Sequence, residues 1–157
     1  MSPKLDVSMS KPELRAFLEE ARVGALTTIG RDDYPHTVGM WFVVDGDVLA
    51  MWTYAKSQKA RNARRDPRCS FMVETGDRYE ELRGVLVKGR LEVVTDHGRI
   101  EEIGTRLYDR YTLPVTAVAL DDGPIVEIRR QAAKRVGLLL PLHDVASWDH
   151  RKMGNRR

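Results

Sequence analysis

Apolar residues recur every three to four positions in two parts of the chain, which predicts two amphipathic helices. The first helix should span about 11–22, and Ser10 with Glu13 forms the pattern of a capping box at its start. Asp96 is placed to cap the second helix. The first apolar stripe comprises Leu14, Phe17, Leu18 and Ala21, and the second comprises Ile100, Ile103, Leu107 and Tyr111.

Segments of strand length, rich in β-branched and aromatic residues and bounded by turn signals, make up most of the rest. Asp45-Gly46 between two of them predicts a tight hairpin. Gly84 and Gly89 within another predict a bulge or bend of the kind that barrels need. A short helix over 57–66 should begin at Ser57 and end before Pro67. The predicted strands are 25–29, 34–44, 47–53, 68–75, 82–94 and 124–128.

These elements predict a mainly β fold, a six-stranded antiparallel barrel with short covering helices. The chain has 157 residues, of which 42% are hydrophobic and 31% charged. We therefore expect a single domain over 1–157. No apolar run approaches the roughly 20 residues that cross a bilayer, and the N-terminal segment lacks the apolar core of a secretory signal. Cys69 is the one cysteine, so no disulfide can form within the chain, and we expect a cytoplasmic protein without a membrane partner.

Positive charge is concentrated between two predicted strands. The segment TYAKSQKARNARRDPR (53–68) carries six basic side chains and one acid, Asp66, in a chain of net charge +3. The segment could be a solvated helix face, a nucleic-acid patch or a seat for a phosphorylated small molecule. Nucleic acid is disfavoured, because no aromatic residues are interleaved for base stacking and Asp77, Glu80 and Glu81 follow in the next loop.

Common catalytic patterns are absent from the sequence. There is no glycine-rich dinucleotide loop and no P-loop. The four histidines, His36, His97, His143 and His150, lack metal-ligand spacing, so no metal site is expected. Cys69 lies in an apolar strand, which is typical of a buried, unreactive thiol.

The remaining candidate chemistry lies where a strand ends and the 57–66 helix begins. Thr53 ends the strand, and Ser57, Gln58 and Lys59 stand at the helix start. A helix N-terminus presents free N–H groups and a partial positive charge. Hydroxyls, an amide and an ammonium at that point would complete a phosphate site. The alternative is an ordinary serine cap followed by exposed lysines.

The order of these features resembles the pyridoxamine 5′-phosphate oxidase-like split-barrel superfamily. The resemblance covers about 10–130, leaving 131–157 as a C-terminal tail. It is carried by ARVGALTTIGRDDYPHTVGMWFVVDGDVLAMWT, by SQKARNARRDPRCSFMVE and by YEELRGVLVKGRLEVV. Its most specific block is T-x-x-x-S-x-K-x-x-N-x-x-x-x-P, formed by Thr53, Ser57, Lys59, Asn62 and Pro67.

The resemblance implies an FMN-binding type of split barrel that forms a homodimer with cofactor sites at the subunit interface. Thr53, Ser57, Gln58 and Lys59 match positions that hold the cofactor phosphate. Met40, Trp41 and Phe42 match the strand along the ring system, and Arg83 and Gly84 match a segment that closes the site from the other subunit. The apolar stripe of the 96–111 helix is expected to serve dimer packing.

The resemblance also bears on which cofactor is bound. The dense arginines Arg61, Arg64 and Arg65 resemble the branch that uses coenzyme F420, a deazaflavin with a phosphodiester and an anionic oligoglutamate tail. The C-terminal SWDHRKM is similar to that branch, with Trp148 at the dimer and Arg151 or Lys152 near the anionic tail. Gln58 stands where the vitamin B6 oxidases usually have an arginine, so vitamin B6 oxidation is not expected.

The resemblance implies an F420-dependent oxidoreductase that transfers a hydride between the reduced deazaflavin and a small organic substrate. Alternatives are an FMN-dependent oxidoreductase of the same fold and a non-catalytic carrier of the cofactor. Solvent, Tyr54 or His36 could donate a proton, and the sequence does not select among them. We therefore assign no catalytic residue at this point.

Overall fold

Two antiparallel β-sheets form the fold of the computed structural model, which describes residues 6–112 and 123–154. One sheet has the order β2-β1-β5-β6-β9 and the other the order β3-β4-β8-β7. The strands of the first sheet are β1 Gly24–Ile29, β2 Pro35–Met40, β5 Arg68–Thr75, β6 Arg83–Arg90 and β9 Asp144–Asp149. Those of the second are β3 Val43–Asp45, β4 Val48–Tyr54, β7 Glu92–Val94 and β8 Arg135–Pro141.

Four α-helices cover the sheets: α1 Lys11–Glu20, α2 Gln58–Arg65, α3 His97–Thr112 and α4 Gly123–Ala132. The capping box of α1 is confirmed, since the Ser10 Oγ accepts from the Glu13 N–H at 3.4 Å and Glu13 Oε2 accepts from the Ser10 N–H at 2.7 Å. Ser57 caps α2 as predicted, accepting from the N–H of Ala60 at 3.3 Å. None of the helices within 6–112 and 123–154 is long and apolar enough to cross a membrane.

The chain crosses between the sheets several times, and two of these crossings are tight corners. The first corner, Trp41-Phe42, joins β2 to β3, and the second, Leu91, joins β6 to β7. Phe42 and Leu91 are buried, so each corner places an apolar side chain in the core between the sheets. The Asp45-Gly46 hairpin is confirmed, and Gly46 has a φ of +59°. The run 82–94 does bend, but at Leu91 rather than at Gly84 or Gly89, which both pair in regular register within β6.

Three predictions about the second half of the chain are wrong. The segment 124–128 belongs to helix α4 rather than to a strand, and it buries Ile128 and Ala132, four residues apart. The supposed tail contains β8, which lies between β4 and β7, and β9, which extends the first sheet. The described residues thus form nine strands rather than six, although the mainly antiparallel β character is confirmed.

The apolar stripe of α3 packs inside the protomer. Ile103 and Leu107 form a buried cluster with Val43 of β3 and Ala50 of β4. Ile100 is buried as well. The expectation that this stripe serves dimer packing is therefore wrong, because the chain's own second sheet already covers these side chains.

Candidate functional site

Three polar side chains meet where β4 ends and α2 begins, and we call Thr53, Ser57 and Lys59 the β4–α2 cluster. Lys59 Nζ donates to Thr53 Oγ1 at 3.1 Å, and Thr53 Oγ1 donates to Ser57 Oγ at 3.2 Å. Thr53 is buried, while Ser57 and Lys59 are half-buried. The structure thus brings three of the predicted site residues into contact, and their binding of a phosphate stays a prediction.

The cluster is electropositive, and none of its members is paired with a carboxylate in the part of the chain that the structure describes. Burial lowers the pKa of Lys59, and the nearby charge of Arg135 lowers that pKa further. Among residues 6–112 and 123–154, no carboxylate forms a salt bridge with either Lys59 or Arg135. The N-terminus of α2 adds a partial positive charge at the same point. Hydroxyls, an ammonium and a helix start without a carboxylate suit an anion such as a phosphate group.

Gln58 and Asn62 belong to a polar network that ties α2 to β1. The Gln58 amide donates to Asn62 Oδ1 at 2.8 Å, and the Asn62 amide donates to Thr28 Oγ1 at 3.0 Å. Asn62 is fully buried, so its side chain fixes the position of the helix. A cavity of 520 Å³ borders Gln58 and Asn62 and reaches His36. The His36 Nδ1 atom is buried there and has no hydrogen-bond partner in the part of the chain that the structure describes.

The arginines of α2 have different surroundings. The Arg64 guanidinium donates to the carbonyl of Ala55 at 2.7 Å, and the Arg65 guanidinium donates to the carbonyl of Ile29. Both therefore connect α2 to the neighbouring backbone. Arg61 is exposed and makes no side-chain hydrogen bond to the described residues. Of these three arginines, only Arg61 has a guanidinium that makes no hydrogen bond to the backbone of the described residues.

The corner between β2 and β3 presents one side chain outward. Met40 and Phe42 are buried in the core, whereas Trp41 is 56% exposed. The Trp41 ring stacks on Tyr111 of α3, with centroids 4.5 Å apart and an angle of 3° between the planes. The Tyr111 hydroxyl also binds the backbone N–H and carbonyl of Phe42 at 3.1 and 3.0 Å. Of the three residues predicted to lie along a ring system, only Trp41 offers its side chain to a ligand.

Arg83 and Gly84 lie far from the β4–α2 cluster within one protomer. Thr28, which contacts Asn62 of α2, pairs with Cys69, and Cys69 pairs with Gly89 on β6. Arg83 is six residues further along β6, roughly 20 Å at the usual rise of a strand. The Arg83 guanidinium pairs with Glu20 at 2.9 Å. A role for Arg83 and Gly84 at the same site requires a second chain, and it remains a prediction.

The C-terminal residues suggested for the dimer, Trp148, and for an anionic tail, Arg151 and Lys152, are engaged within the protomer. The Trp148 indole donates to Glu74 at 3.0 Å. Arg151 pairs with Asp149 at 2.6 Å and Lys152 pairs with Glu13 at 2.8 Å. The idea that Arg151 or Lys152 meets an anionic ligand is not favoured, since a carboxylate already neutralises each of them.

Arg135 is a residue that the sequence interpretation missed. It lies on β8 directly across from Tyr54 of β4, and its guanidinium lies over the Tyr54 and Trp52 rings at 4.1 and 4.6 Å. It lies within 131–157, which the sequence interpretation treats as a C-terminal tail. A signal was available, because the apolar run VGLLL follows Arg135 directly and is typical of a buried strand.

Comparisons with known proteins identify a family and several similar proteins. The profile of the pyridoxamine 5′-phosphate oxidase family matches residues 10–140. An F420H(2)-dependent biliverdin reductase of Mycobacterium tuberculosis is 32% identical over 101 residues, which cover 63% of this chain and 70% of that protein. The crystal structure of a conserved hypothetical protein of the same organism is 39% identical, with a TM-score of 0.87 over 100% of this chain and 95% of that one. A solved F420 reductase is 28% identical, with a TM-score of 0.63 over 84% and 94%.

Proposed function

This chain belongs to the pyridoxamine 5′-phosphate oxidase family, and from that premise we propose that it is an oxidoreductase dependent on coenzyme F420. Its substrate in this proposal is a small organic molecule with an electron-poor double bond. Two similar proteins are named for F420: the biliverdin reductase and the F420 reductase. Biliverdin is therefore the first substrate to test.

The observation that carries the proposal is the uncompensated charge of the β4–α2 cluster. Lys59 is held at 3.1 Å from Thr53 and beside the N-terminus of α2, with no carboxylate paired to it among the described residues. Confining a cation in this way disfavours its charged form, and an anion bound beside it would offset that cost. A phosphate group meets this need, because its oxygens can accept from the ammonium, the two hydroxyls and the helix N–H groups.

Two further features bear on the cofactor, and the first favours the deazaflavin over FMN. Arg61 is exposed and makes no side-chain hydrogen bond to the described residues, so its charge is available to a ligand that extends beyond one phosphate. Coenzyme F420 has such an anionic extension, and FMN ends at its phosphate. Trp41 gives an exposed aromatic face for a ring system. FMN remains the alternative, because Thr53, Ser57 and Lys59 would hold either phosphate.

In this mechanism the chain binds and orients, and the cofactor supplies the reaction. When bound, the deazaflavin supplies hydride-transfer chemistry. Thr53, Ser57 and Lys59 hold its phosphate and so fix the register of the ring system. Trp41 shields one side of the substrate space from water. We also propose a homodimer, in which Arg83 and Gly84 of one protomer complete the site of the other.

A fluorescence titration of the purified chain with F420, and with FMN in parallel, tests the proposal. We expect tighter binding of F420. Lys59→Ala should weaken that binding by about tenfold or more, because it removes the enclosed cation. Lys56→Ala is the matched control, since Lys56 is exposed three residues earlier and its loss changes the net charge equally.

Each alternative outcome has a separate meaning. Preference for FMN would make the protein an FMN-dependent oxidoreductase. If Lys59→Ala bound F420 as tightly as the wild type does, the β4–α2 cluster would not be part of the cofactor site. Binding of neither cofactor would refute the proposed function. Tight F420 binding without reduction of biliverdin or other activated alkenes would favour a cofactor carrier.

A further inference from the structure

We propose that a cavity on the outer face of the second sheet, beneath α3 and α4, receives an uncharged aromatic ring of the substrate. The substrate class is then an electron-poor alkene conjugated to one aromatic ring, such as an aryl enone. The inference deepens the proposed function and rests on it, since it assumes that an organic substrate is reduced beside Trp41. We call this cavity the α3–α4 slot, and its main lining residues are Trp41, Trp52, Gly104, Leu107, Tyr108 and Ile128.

The α3–α4 slot is separate from the residues proposed to hold the phosphate. Trp52 and Thr53 are consecutive on β4, so their side chains point to opposite faces of the sheet. Trp52 packs against the buried cluster that contains Ile103 and Leu107 of α3, whereas Thr53 contacts Lys59. The slot can therefore bind a different molecule, or a different part of one, from the group that the β4–α2 cluster binds.

Two indole rings with fixed positions line the slot. Gly104 allows the Trp52 ring to lie against α3, because a Cβ atom at position 104 would be only 2.4 Å from Trp52 Cζ3. The Trp41 ring stacks on Tyr111 with centroids 4.5 Å apart, which fixes its orientation. Aromatic side chains held in this way offer flat apolar surface to a ring-shaped ligand.

The size and the lining of the slot suit a single aromatic ring. Its volume is 160 Å³, and an apolar cavity of about 150 Å³ can hold benzene. Most of its lining side chains are aromatic or aliphatic, as is typical of sites for small organic molecules. A ligand with two fused rings would exceed the available space.

The charges around the slot favour an uncharged ligand. Among the described residues that line it, only Glu127 is charged, and Glu127 already pairs with Arg130 at 2.6 Å. Gln131 Nε2 donates to Glu127 Oε1 at 2.7 Å, and Gln131 Oε1 accepts from Arg135 at 3.2 Å. A charged ligand group would have to break these contacts or lose its water without gaining a partner, and both are unfavourable.

Trp41 connects the slot to the proposed cofactor site. Its side chain lines the slot and is nevertheless 56% exposed, so part of the indole stays open to a ring system along β2. A substrate whose aromatic ring occupies the slot would extend its double bond past Trp41 toward that ring system. An aryl enone has the required form, because its double bond directly follows the ring.

The first experiment measures the binding of benzylideneacetone to the purified chain, without cofactor, by calorimetry and by quenching of tryptophan fluorescence. We expect this phenyl enone to bind about tenfold more tightly than ethylideneacetone, which has a methyl group in place of the ring. It should also bind more tightly than its naphthyl analogue, which is too large, and than cinnamate, which is charged.

Two variants test whether the ligand lies in the slot. Gly104→Ala should weaken the binding of benzylideneacetone by about tenfold, because the added Cβ displaces the Trp52 ring. Gly98→Ala is the matched control on the same helix, since the nearest atom to its added Cβ is 3.6 Å away, and it should bind as the wild type does. Tyr108→Ala should enlarge the slot and admit the naphthyl analogue.

Kinetics with reduced F420 test whether the bound enone is a substrate. Reduction adds a hydride from the deazaflavin to the β-carbon and a proton from solvent to the α-carbon, so the double bond becomes a single bond. Gly104→Ala should raise KM for benzylideneacetone by about tenfold and change kcat much less, because it weakens binding of the ring. A fall in kcat with unchanged KM would contradict a role in ring binding.

Other outcomes would also overturn the inference. Equal binding of the phenyl and methyl enones, or tighter binding of cinnamate, would refute a slot for an uncharged ring. Unchanged binding in both Gly104→Ala and Tyr108→Ala would place the ligand elsewhere, and if Gly104→Ala does not fold, Tyr108→Ala decides. F420 binding without enone binding would refute the slot and leave the proposed function standing. Enone binding without F420 binding would refute the proposed function, and with it the role of the slot in reduction.

Discussion

Arg110 of α3 forms hydrogen bonds to two parts of the chain that are distant in sequence, the corner between β2 and β3 and the end of α1. We predict that Arg110→Met strongly destabilises the protein. Its guanidinium donates to the carbonyl of Phe42 at 2.6 Å, at the corner between β2 and β3. It also donates to the carbonyls at the end of α1, those of Leu18 at 2.8 Å, Glu19 at 3.0 Å and Ala21. A cation at a helix C-terminus satisfies carbonyls that have no partner within the helix.

The expected loss follows from counting two anchors, the Phe42 carbonyl and the end of α1. A hydrogen bond to a charged group contributes about 1.5–3 kcal/mol, so the two anchors contribute about 3–6 kcal/mol. Burial of the charge, which lowers the pKa of Arg110, offsets part of that gain. We therefore expect Arg110→Met to lower the free energy of unfolding by about 2–4 kcal/mol. Methionine keeps apolar contact with the Phe42 and Tyr111 rings.

Urea unfolding, monitored by tryptophan fluorescence, measures this loss of unfolding free energy. The thermal midpoint should fall by about 4–16 °C for a chain of this size. Arg61→Met is the control, because Arg61 is exposed and its loss should change the free energy by no more than about 0.5 kcal/mol. A loss below about 1 kcal/mol in Arg110→Met would show that water replaces the guanidinium at these carbonyls and would refute the reasoning.

Two further predictions concern titratable groups. The Arg99 and Arg106 guanidiniums, at 2.6 and 3.0 Å, hold the pKa of Asp45 below its ordinary 3.8. Asp45→Asn should therefore lower stability at neutral pH, and the difference from the wild type should fade as pH falls below 3.8 toward the folded-state pKa. Urea titrations from pH 7 to pH 2.5 test this, and a constant difference would contradict it. Burial raises the pKa of Cys69 to about 11, so at pH 8 a disulfide reagent should modify the folded chain about two orders of magnitude more slowly than the urea-unfolded chain; equal rates would contradict it.

Local signals predicted much of the fold. The Ser10–Glu13 capping box, the Asp45-Gly46 turn and the Ser57 cap each depend on residues within four positions of one another. The β4–α2 cluster was predictable for the same reason, since Thr53, Ser57 and Lys59 span seven residues. Short-range geometry alone brings these side chains together once a strand is followed by a turn and a helix.

The wrong or missing predictions concern segments whose local pattern is ambiguous and residues whose place depends on strands far away in the sequence. The run PIVEI has the β-branched content of a strand, yet Pro124 is tolerated in the first turn of a helix and Ile128 repeats at Ala132 with helical spacing. The place of Arg135 depends on pairing with Tyr54, 81 positions earlier. No local pattern encodes that register, because it depends on which strands meet in the second sheet.

The density of basic residues in 53–68 overstates the charge that a ligand can use. Arg64 and Arg65 donate to backbone carbonyls, and Arg68 pairs with Asp66 at 2.7 Å. Lys59 is different, because it is partly enclosed, in contact with Thr53 and without a carboxylate partner among the described residues. The feature that marks an anion site is therefore confined charge without compensation. Lys59, rather than the arginine-rich helix surface, is therefore the first cation to test.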